Sequence, residues 1–517
     1  MFSKDFLTTQ KNHLINYYIV MKKLLFLLLA GLSLVACNDD NVERRLVVIT
    51  IDGLRWQELF TGADSFLVAN ARYVASPDSL KQAYWRDTPE ERRQVLMPFT
   101  WSYIVKNGYL IGNREKGSQM QVANKWHFSY PGYSELFCGY PDDERVNSND
   151  LGDNPNTSVF EVVNRDERYR DSVMVYGTWG AIPHIVNSER SGIKGGNPEN
   201  RRRGDDFTYA YAIEMLTQSH PKVLYVSFGG TDHYGHEGQY DKYLDAAHIF
   251  DQYIQGIVEI CEADPFYKGR TAYIVTTDHG RGFRRAFISH GVGIRGSENT
   301  WLMAFGRGME CLGETSNNGP FYTQQMAATI AKVTGVDFTP DNGVKQPPFD
   351  PHFKGEPIVD EAGLIDCGKF AAIDVTPTGK GVKYEYYEGD FHEIADMKPE
   401  TKKAEGVMQN FDITKAQRED GFGFVFKTLI LVPETQKYMF TNISDDGSCV
   451  WLDGKLIIND DGSHSENYTE AYAEMEKGYH RLEIKYIEDC EGQTYGLELE
   501  SPSMPVVAVP DAMLYYE

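Results

Sequence analysis

Two patterns of hydrophobic and polar positions alternate along the first two thirds of the chain. From Arg45 to about Val344, short apolar runs rich in β-branched residues are followed by longer amphipathic stretches. This alternation predicts an α/β sheet with helices on both faces. Three apolar runs are clearest, and an acidic residue follows each of them: 46–51 before Asp52, 223–228 before Asp232, and 272–277 before Asp278. Because ligands of open α/β sheets collect at the carboxyl ends of strands, these acidic residues are candidates for a site.

The last third of the chain has a different pattern. Short alternating runs such as 384–390 are separated by turn clusters such as 444–448, which predicts an all-β sandwich over residues 380–517. Prolines at positions 347, 348, 351, 357 and 376 interrupt the region between the two patterns. We therefore predict an α/β domain over 45–345, a linker over 346–379, and the sandwich as a separate domain.

The N-terminal region has the features of a secretory signal. Two lysines, Lys22 and Lys23, precede a short apolar run, and small residues lead to Cys37. The segment 34–37, Leu-Val-Ala-Cys, resembles a bacterial lipobox, in which the cysteine is lipidated. Residues 1–37 are thus predicted to direct export, and the resemblance implies an extracytoplasmic lipoprotein attached to the membrane through a lipid anchor on Cys37.

Charge and cysteine content narrow the functional classes. The chain has 75 acidic and 51 basic residues, a formal charge of −24, which argues against specific nucleic-acid binding. No later run reaches the roughly 20 apolar residues that a membrane-spanning helix needs. The six cysteines after Cys37 have no CxxC spacing and predict no thiolate zinc site. Cys449 and Cys490 are the first candidates for a disulfide, because both lie in the C-terminal segment.

Six Asp and His residues occupy strand ends or glycine-bearing loops, and together they suit a metal centre: Asp52, Asp232, His236, Asp278, His279 and His290. Carboxylates combined with imidazoles favour zinc and its neighbours among the divalent ions. Asp232 and His236 are four residues apart, so one helical turn points both at the same ion. The set is large enough for two sites of three ligands each, with positions left open for substrate.

Five motifs in order resemble the alkaline phosphatase superfamily, and the nearest branch is the type I phosphodiesterase/nucleotide pyrophosphatase family. The motifs span about residues 45–340: Ile51-Asp52-Gly53-Leu54-Arg55, Phe128-Ser129-Tyr130-Pro131-Gly132-Tyr133-Ser134 leading to Gly139-Tyr140-Pro141, Asp232-x-x-x-His236, Asp278-His279-Gly280, and His290-Gly291. The resemblance implies an alkaline-phosphatase-like central sheet with helices on both faces, and hydrolysis of phosphoesters through a phosphoserine intermediate and two zinc ions.

The resemblance also implies a role for each matching residue. Asp52, Asp278 and His279 would hold one zinc together with the nucleophile, and Asp232, His236 and His290 would hold the other. Ser129 matches the nucleophile, and Asn149 matches an Asn that hydrogen-bonds a phosphoryl oxygen. Ser129 replaces the usual Thr, and Gly132-Tyr133 replaces the family's Asn-His, a change that bears on substrate fit.

Three alternatives stay open at the level of sequence. A phosphomonoesterase would use the same metal core with added cations, for which Lys194 and the arginines 201–203 are candidates, although a solvated loop is the simpler interpretation. Sulfatases share the superfamily, but Tyr133 stands where their motif has Arg. A surface glycan-binding lipoprotein without catalytic activity is the third alternative.

The C-terminal segment resembles the protective-antigen-type β-sandwich through its Asp-rich turns and the segment 450–455, Val-Trp-Leu-Asp-Gly-Lys. In some relatives the paired Asp binds calcium and a sugar, which makes Asp445 and Asp446 candidates for a calcium or glycan site. Asp-Asp-Gly is also a turn sequence, and turn chemistry favours that interpretation. If the module binds glycan, the implied substrate is a phosphorylated polysaccharide or glycolipid.

Overall fold

The computed structural model describes residues 44–196, 204–356, 365–490 and 492–517. The predicted leader 1–37 with Cys37, and the arginines 201–203, lie outside these residues. Within the described ranges, no helix has both the length and the apolar character needed to cross a bilayer.

A mixed sheet of eight strands forms the centre of the first region, in the order β5-β4-β6-β1-β7-β8-β2-β9. The five strands from β5 to β7 are parallel, while β8 runs antiparallel to both β7 and β2. A separate parallel pair, β3 and β10, lies beside it. The strands are β1 Arg45–Ile51, β2 Gly108–Ile111, β3 Ser118–Gln121, β4 Val173–Gly177, β5 Lys194–Gly196, β6 Val223–Phe228, β7 Thr271–Thr276, β8 Leu302–Gly306, β9 Gly313–Glu314 and β10 Asn318–Tyr322.

Both faces of this sheet are buried, as continuous apolar strands require. Along β1, Val47, Ile49 and Ile51 enter one hydrophobic core, whereas Leu46 and Val48 enter the other. Helices cover the two faces: Trp56–Thr61, Ser65–Val68, Pro77–Tyr84, Pro89–Leu96, Val105–Asn107, Ser129–Cys138, Val159–Arg165, Ile182–Ile185, Ser188–Ser191, Asp205–Glu214, Gly230–His236, Tyr240–Ala263 and Gln325–Thr334. The predicted α/β architecture is therefore confirmed.

The three apolar runs of the sequence are three neighbouring parallel strands. β1 lies between β6 and β7, with Ile51 opposite Phe228 and Thr50 opposite Thr276. The carboxyl ends of these strands consequently meet at one edge of the sheet, and the acidic residues that follow them are brought to the same place.

The C-terminal region is a β-sandwich, as predicted. One sheet has the order β11-β19-β16-β21-β22, and the other has the order β12-β23-β15-β20-β17-β18, with β13 paired to β14 and β15. Side chains from both sheets fill one core. The strands are β11 Ile365–Phe370, β12 Gly379–Lys380, β13 Val382–Glu388, β14 Lys402–Met408, β15 Phe422–Val432, β16 Gln436–Ser444, β17 Ser448–Leu452, β18 Lys455–Asp460, β19 Asn467–Met475, β20 Gly478–Glu488, β21 Tyr495–Ser501, β22 Met504–Ala508 and β23 Leu514–Tyr516.

Two details differ from the sequence-based expectations. β11 lies inside the predicted linker 346–379 and pairs in parallel with β19, so the sandwich recruits residues that precede position 380. Cys449 is a thiol whose Sγ donates to Asn459 Oδ1 at 3.2 Å, and the expected disulfide to Cys490 is not formed. Proximity in sequence was a poor guide here, because strand pairing rather than chain distance decides which side chains face each other.

Candidate metal centre

The carboxyl ends of β1 and β7 bring two acidic side chains together. Asp52 follows β1 and is 5% exposed, and Asp278 lies just beyond β7 and is fully buried. The amide of Gly53 donates to Asp278 Oδ1 at 3.2 Å, which ties the two strand ends to each other. Gly53 has a φ of +60°, and a Cβ there would lie 3.0 Å from Asp232 Oδ1. Only glycine fits this turn without disturbing the surrounding carboxylates.

His279 connects these acids to the hydroxyl of Ser129. Its Nε2 lies 3.2 Å from Asp52 Oδ1 and 3.5 Å from Asp278 Oδ2. The other ring nitrogen, Nδ1, lies 2.7 Å from the carbonyl oxygen of Gly280. Ser129 Oγ is 3.2 Å from His279 Nε2 and donates to Asp52 Oδ1 at 3.4 Å. The structure thus brings together all four residues that the sequence assigned to one ion.

The second group assembles beside the first. Asp232 and His236 lie on the short helix Gly230–His236, and the His236 Nε2 to Asp232 Oδ2 distance is 3.4 Å. His290 Nε2 lies 3.3 Å from Asp232 Oδ1 and 2.9 Å from His236 Nε2. The rings of His279 and His290 stack with centroids 4.0 Å apart. All three residues that the sequence assigned to the second ion are therefore in mutual contact.

Arg281 is a residue of this cluster that the sequence patterns did not single out. Its Nη1 donates to Asp232 Oδ1, and its Nε and Nη2 donate to the carbonyl oxygens of Phe287 and Ile288 at 2.9 and 2.6 Å. The side chain is buried. The sequence feature that could have marked Arg281 is its position between Gly280 and Gly282, directly after the Asp278-His279 pair.

The cluster contains closely packed acidic side chains and few positive charges to balance them. Burial and the neighbouring carboxylates raise the pKa of Asp52 and of Asp278. Burial acts on Asp232 as well, but Arg281 and His290 outweigh it and hold the pKa of Asp232 well below its ordinary value. Burial lowers the pKa of His279, yet Asp278 and Asp52 outweigh it and raise that pKa to about 9.

The donor set fits divalent metal ions. Asp278 Oδ2 is buried and has no hydrogen-bond partner among the described residues, as expected of an oxygen reserved for an ion. Asp52, Asp278 and His279 place one ligand atom each within 4.8 Å of one another, and so do Asp232, His279 and His290. Burial and the charge of His279 lower the pKa of His290, which favours the neutral imidazole that metals bind.

Ser129 occupies the N-terminus of the helix Ser129–Cys138, where its own amide and the helix dipole favour an anion. Pro131 has no N–H, and the amide of Gly132 donates to the carbonyl oxygen of Phe128 at 3.0 Å. The amide of Tyr130 donates to Asn149 Oδ1 at 2.9 Å. Asn149 is exposed and is held next to Ser129 by this bond. With its oxygen used by Tyr130, the amide nitrogen of Asn149 is the atom that can donate to a substrate.

Two aromatic neighbours of Ser129 differ in environment. His127 has a φ of 54°, and burial together with the charge of His279 lowers its pKa to about 4. The sequence patterns missed it, although it lies only two residues before Ser129. Tyr133 is fully buried, and its hydroxyl accepts a hydrogen bond from Ser227 Oγ at 3.2 Å. Tyr133 therefore faces the protein interior, and burial together with the charges of Asp278 and Asp52 raises its pKa.

In the sandwich, Asp446 acts as a turn residue. It has a φ of 57°, its Oδ1 accepts from the amide of His464 at 2.9 Å, and its Oδ2 accepts from the amides of Asp489 and Cys490 at 2.7 and 3.1 Å. Asp445 is partly buried, and burial and Asp446 raise its pKa. This geometry favours the turn interpretation of Asp446, while calcium or glycan binding at the pair stays a prediction.

Two family models match separate parts of the chain. A family model of the metalloenzyme superfamily matches residues 193–283, a range that contains Asp232, His236, Asp278 and His279, and the PA14 domain matches residues 379–507. No curated protein matches the chain.

Several solved structures are similar at low identity. A protein of the alkaline phosphatase superfamily from Vibrio parahaemolyticus is 15% identical with a TM-score of 0.37, covering 58% of this chain and 69% of that one. A putative sulfatase from Bacteroides thetaiotaomicron is 11% identical with a TM-score of 0.41, covering 58% and 72%. An anti-sigma factor domain-containing protein from Clostridium clariflavum is 19% identical with a TM-score of 0.23, covering 35% of this chain. The chain spans 58% of the length of that protein and 48% of another anti-sigma factor domain-containing protein.

A match to the metalloenzyme superfamily within the α/β region is therefore followed by a C-terminal PA14 domain. The metalloenzyme match implies a divalent metal as the cofactor class. The prediction of a protective-antigen-type sandwich is confirmed, and the metalloenzyme match agrees with the predicted metal-dependent domain. The narrower assignment to the type I phosphodiesterase branch stays a prediction.

Proposed function

We propose that this chain is an extracytoplasmic phosphoester hydrolase that uses Ser129 as its nucleophile and two divalent metal ions, with zinc as the first candidate. The observation that carries the proposal is the position of Ser129 Oγ, 3.4 Å from Asp52 Oδ1 and 3.2 Å from His279 Nε2. An alcohol at the N-terminus of a helix and at the edge of a buried Asp/His cluster is the arrangement that nucleophilic phosphoryl transfer needs.

Bound divalent ions would supply Lewis-acid charge and lower the pKa of a nearby hydroxyl or water. Asp52, Asp278 and His279 would hold one ion, and Asp232, His236 and His290 would hold the other. Ser129 is oriented by its contacts to Asp52 and His279, so that its oxygen faces the phosphorus atom.

The chemistry proceeds by two displacements at phosphorus. In the first, the Ser129 hydroxyl loses its proton as a bond forms from Oγ to phosphorus, the ester P–O bond breaks, and the leaving alkoxide takes up a proton. In the second, water forms the new P–O bond, the bond to Ser129 breaks, and the serine oxygen regains a proton. The amide nitrogen of Asn149 and the backbone amide of Ser129 would stabilise the charge on the phosphoryl oxygens.

Among possible esters we favour phosphodiesters, because the ordered motifs resemble the diesterase branch. The cations proposed for a monoesterase include the arginines 201–203, which lie outside the described residues. A sulfatase site is disfavoured by Tyr133, whose hydroxyl contacts Ser227 in the interior where the sulfatase motif has an arginine.

We also propose that the leader and Cys37 attach the protein to the outer side of a bacterial membrane by a lipid anchor. The PA14 domain would then direct the hydrolase to a phosphorylated glycan or glycolipid. The presence of that domain supports a surface-bound substrate over a free nucleotide.

The test uses residues 38–517, without the export segment and Cys37, and compares Ser129→Ala with Ser134→Ala as a matched pair. Both serines lie on the same helix and are buried, but the Ser134 hydroxyl contacts Cys138 and Asn154 instead of the metal cluster. Zinc per protein and hydrolysis of p-nitrophenyl phosphate, bis-p-nitrophenyl phosphate and p-nitrophenyl sulfate are measured for all three proteins.

About two zinc ions per chain and activity lost only in Ser129→Ala would support the proposal, with the diester as the preferred substrate. Equal loss in both variants would assign the effect to the helix and not to the nucleophile. A wild-type chain that stays inactive on every ester after zinc is added would overturn the proposal and leave glycan binding as the function to pursue.

A further inference from the structure

The segment 283–295, which carries His290, packs directly against the sandwich. Ala286 and Ile294 of this segment share a buried apolar cluster with Ile443 and Tyr468, which lie on strands β16 and β19. A Cβ placed on Gly293 would lie 3.9 Å from Thr469 Cγ2. The loop that supplies one proposed metal ligand is therefore covered by the C-terminal domain.

Three arginines of the same segment are paired with acids of the sandwich. Arg285 Nη1 lies 2.7 Å from Glu498 Oε1, and Arg284 Nη1 lies 2.9 Å from Glu500 Oε1. Arg295 Nε lies 3.5 Å from Glu470 Oε2. The Glu498 side chain is only 4% exposed, so an unpaired carboxylate there would be costly.

The acids form a patch because of strand geometry. Glu498 and Glu500 are two residues apart on β21 and point to the same face. Thr441 of β16 is opposite Glu498 on one side and opposite Glu470 on the other, which places the three acids on one surface of the sheet. Like charges this close repel, and the three arginines of the segment 283–295 neutralise them.

The segment also connects to the second ligand group through Arg281. The carbonyl oxygens of Phe287 and Ile288 hold the Arg281 side chain, and Arg281 donates to Asp232 Oδ1. His290, at the end of the same stretch, contacts Asp232 and His236 directly. A displacement of this segment would thus move His290 and release the acceptors of Arg281 at the same time.

We propose that the PA14 domain supports the second metal site without supplying a ligand. Arg284, Arg285 and Arg295 are positioning residues that fix the His290 loop on the acidic face of the sandwich. The PA14 domain then has a role in the chemistry of the hydrolase besides any role in targeting. The inference rests on the proposed function for the identity of the ion that Asp232, His236 and His290 hold.

The test uses residues 38–517 with Arg285→Glu, the charge swap Arg285→Glu/Glu498→Arg, and Glu498→Gln, which removes a charge without adding repulsion. The matched control is Arg481→Glu, because Arg481 pairs at 2.6 Å with Glu517 on the sandwich, away from the segment 283–295. Hydrogen exchange of residues 283–295 is measured in metal-free protein, and zinc affinity is measured by competition with a chelator.

We expect Arg285→Glu to speed hydrogen exchange of residues 283–295. It should also weaken the binding of one of the two zinc ions by about 10- to 100-fold, as the loss of a supporting partner does. The charge swap should recover part of both effects, Glu498→Gln should produce a smaller version of them, and Arg481→Glu should change neither. Unchanged exchange and unchanged affinity of both ions in Arg285→Glu and Glu498→Gln would overturn the inference.

The exchange measurement separates this inference from the proposed function. If the wild-type chain binds no zinc, the proposed function fails, while the exchange of the metal-free loop still reports whether the sandwich holds it. If the wild-type chain binds two zinc ions and the variants behave like it, only the positioning role is lost.

Discussion

Asp278 in the α/β domain and Asp446 in the PA14 domain occupy similar positions in the sequence but have opposite environments in the structure. Each is a buried aspartate in a loop that follows a strand. Both oxygens of Asp446 accept backbone hydrogen bonds, from three amides in total. Asp278 accepts from the amide of Gly53, and its Oδ2 has no hydrogen-bond partner among the described residues.

The difference shows how burial alone fails to separate a structural aspartate from a ligand. A carboxylate whose lone pairs are used by amides is stabilised and has little left for an ion. A buried carboxylate with an unused oxygen, beside a second acid and an imidazole, is unstable without a cation. The unused oxygen of Asp278 is therefore the sign of a metal site, and the amides around Asp446 are the sign of a turn.

The largest difference in zinc binding and activity is expected between Asp278→Asn and Asp446→Asn. Loss of the Asp278 charge should abolish tight binding of one ion and reduce esterase activity by more than the 10- to 100-fold that outer partners contribute. Asp446→Asn should leave zinc content unchanged, because its contacts are to backbone amides. Zinc per chain measures metal binding, and turnover of the preferred ester measures activity. Equal zinc loss in the two variants would contradict the assignment of Asp278 as a ligand and Asp446 as a turn residue.

Asp446→Ala should mainly cost stability. Three backbone amides lose their acceptor, and alanine disfavours the left-handed φ of 57° at this position. We expect a loss of about 2–4 kcal/mol in the unfolding free energy of the sandwich. Chemical denaturation followed through hydrogen exchange of β16 and β20 measures it. A variant as stable as wild type would mean that water replaces these acceptors, and would reopen Asp446 as a ligand.

Gly53→Ala tests whether the backbone turn at Gly53 also supports the metal cluster. The new Cβ would lie 3.0 Å from Asp232 Oδ1 at a φ of +60°, so both strain and crowding act on the metal cluster. Gly192→Ala is the matched control, since its φ is +68° and nothing lies within 4 Å. Each should lose roughly 1–2 kcal/mol from the left-handed backbone, but only Gly53→Ala should also weaken zinc binding. Equal zinc affinity in both would exclude crowding at Gly53.

The smallest expected effect is a pH dependence in the sandwich. His480 is buried, with Nδ1 2.8 Å from Asp453 Oδ2 and Nε2 2.8 Å from the carbonyl oxygen of Glu476. Burial lowers the pKa of His480, but these two acceptors outweigh it and raise that pKa above its ordinary value. The stability gained from the charged ring is complete below about pH 6.5 and is lost as pH rises through the raised pKa.

His480→Gln should therefore flatten the decline in sandwich stability above about pH 6.5. Hydrogen exchange of β20 measured across pH gives the slope for each protein. A variant whose slope equals that of the wild type would show that His480 is neutral throughout this range.

Much of the architecture could be read from local patterns. Continuous apolar runs predicted β1, β6 and β7, since a strand buried on both faces has no polar side to show. The same runs predicted that Asp52, Asp232 and Asp278 would meet, because parallel neighbours end at one edge of a sheet. The Asp and His positions at strand ends and glycine-bearing loops also marked His279 and His290, the motif resemblance added Ser129, and the structure brings all of them into one cluster.

What the sequence by itself determined was thus the class of fold and the residues of the metal cluster, because both follow from periodicity and from short motifs at strand ends. Only the tertiary structure decided that Arg281 holds Asp232, that the segment 283–295 lies on the acidic face of the sandwich, and that Cys449 remains a thiol. Arg285 and Glu498 are more than 200 residues apart, and no local pattern marks such a pair. Contacts of this kind form when folded domains pack against each other, whereas strands and turns are determined by residues that are close in sequence.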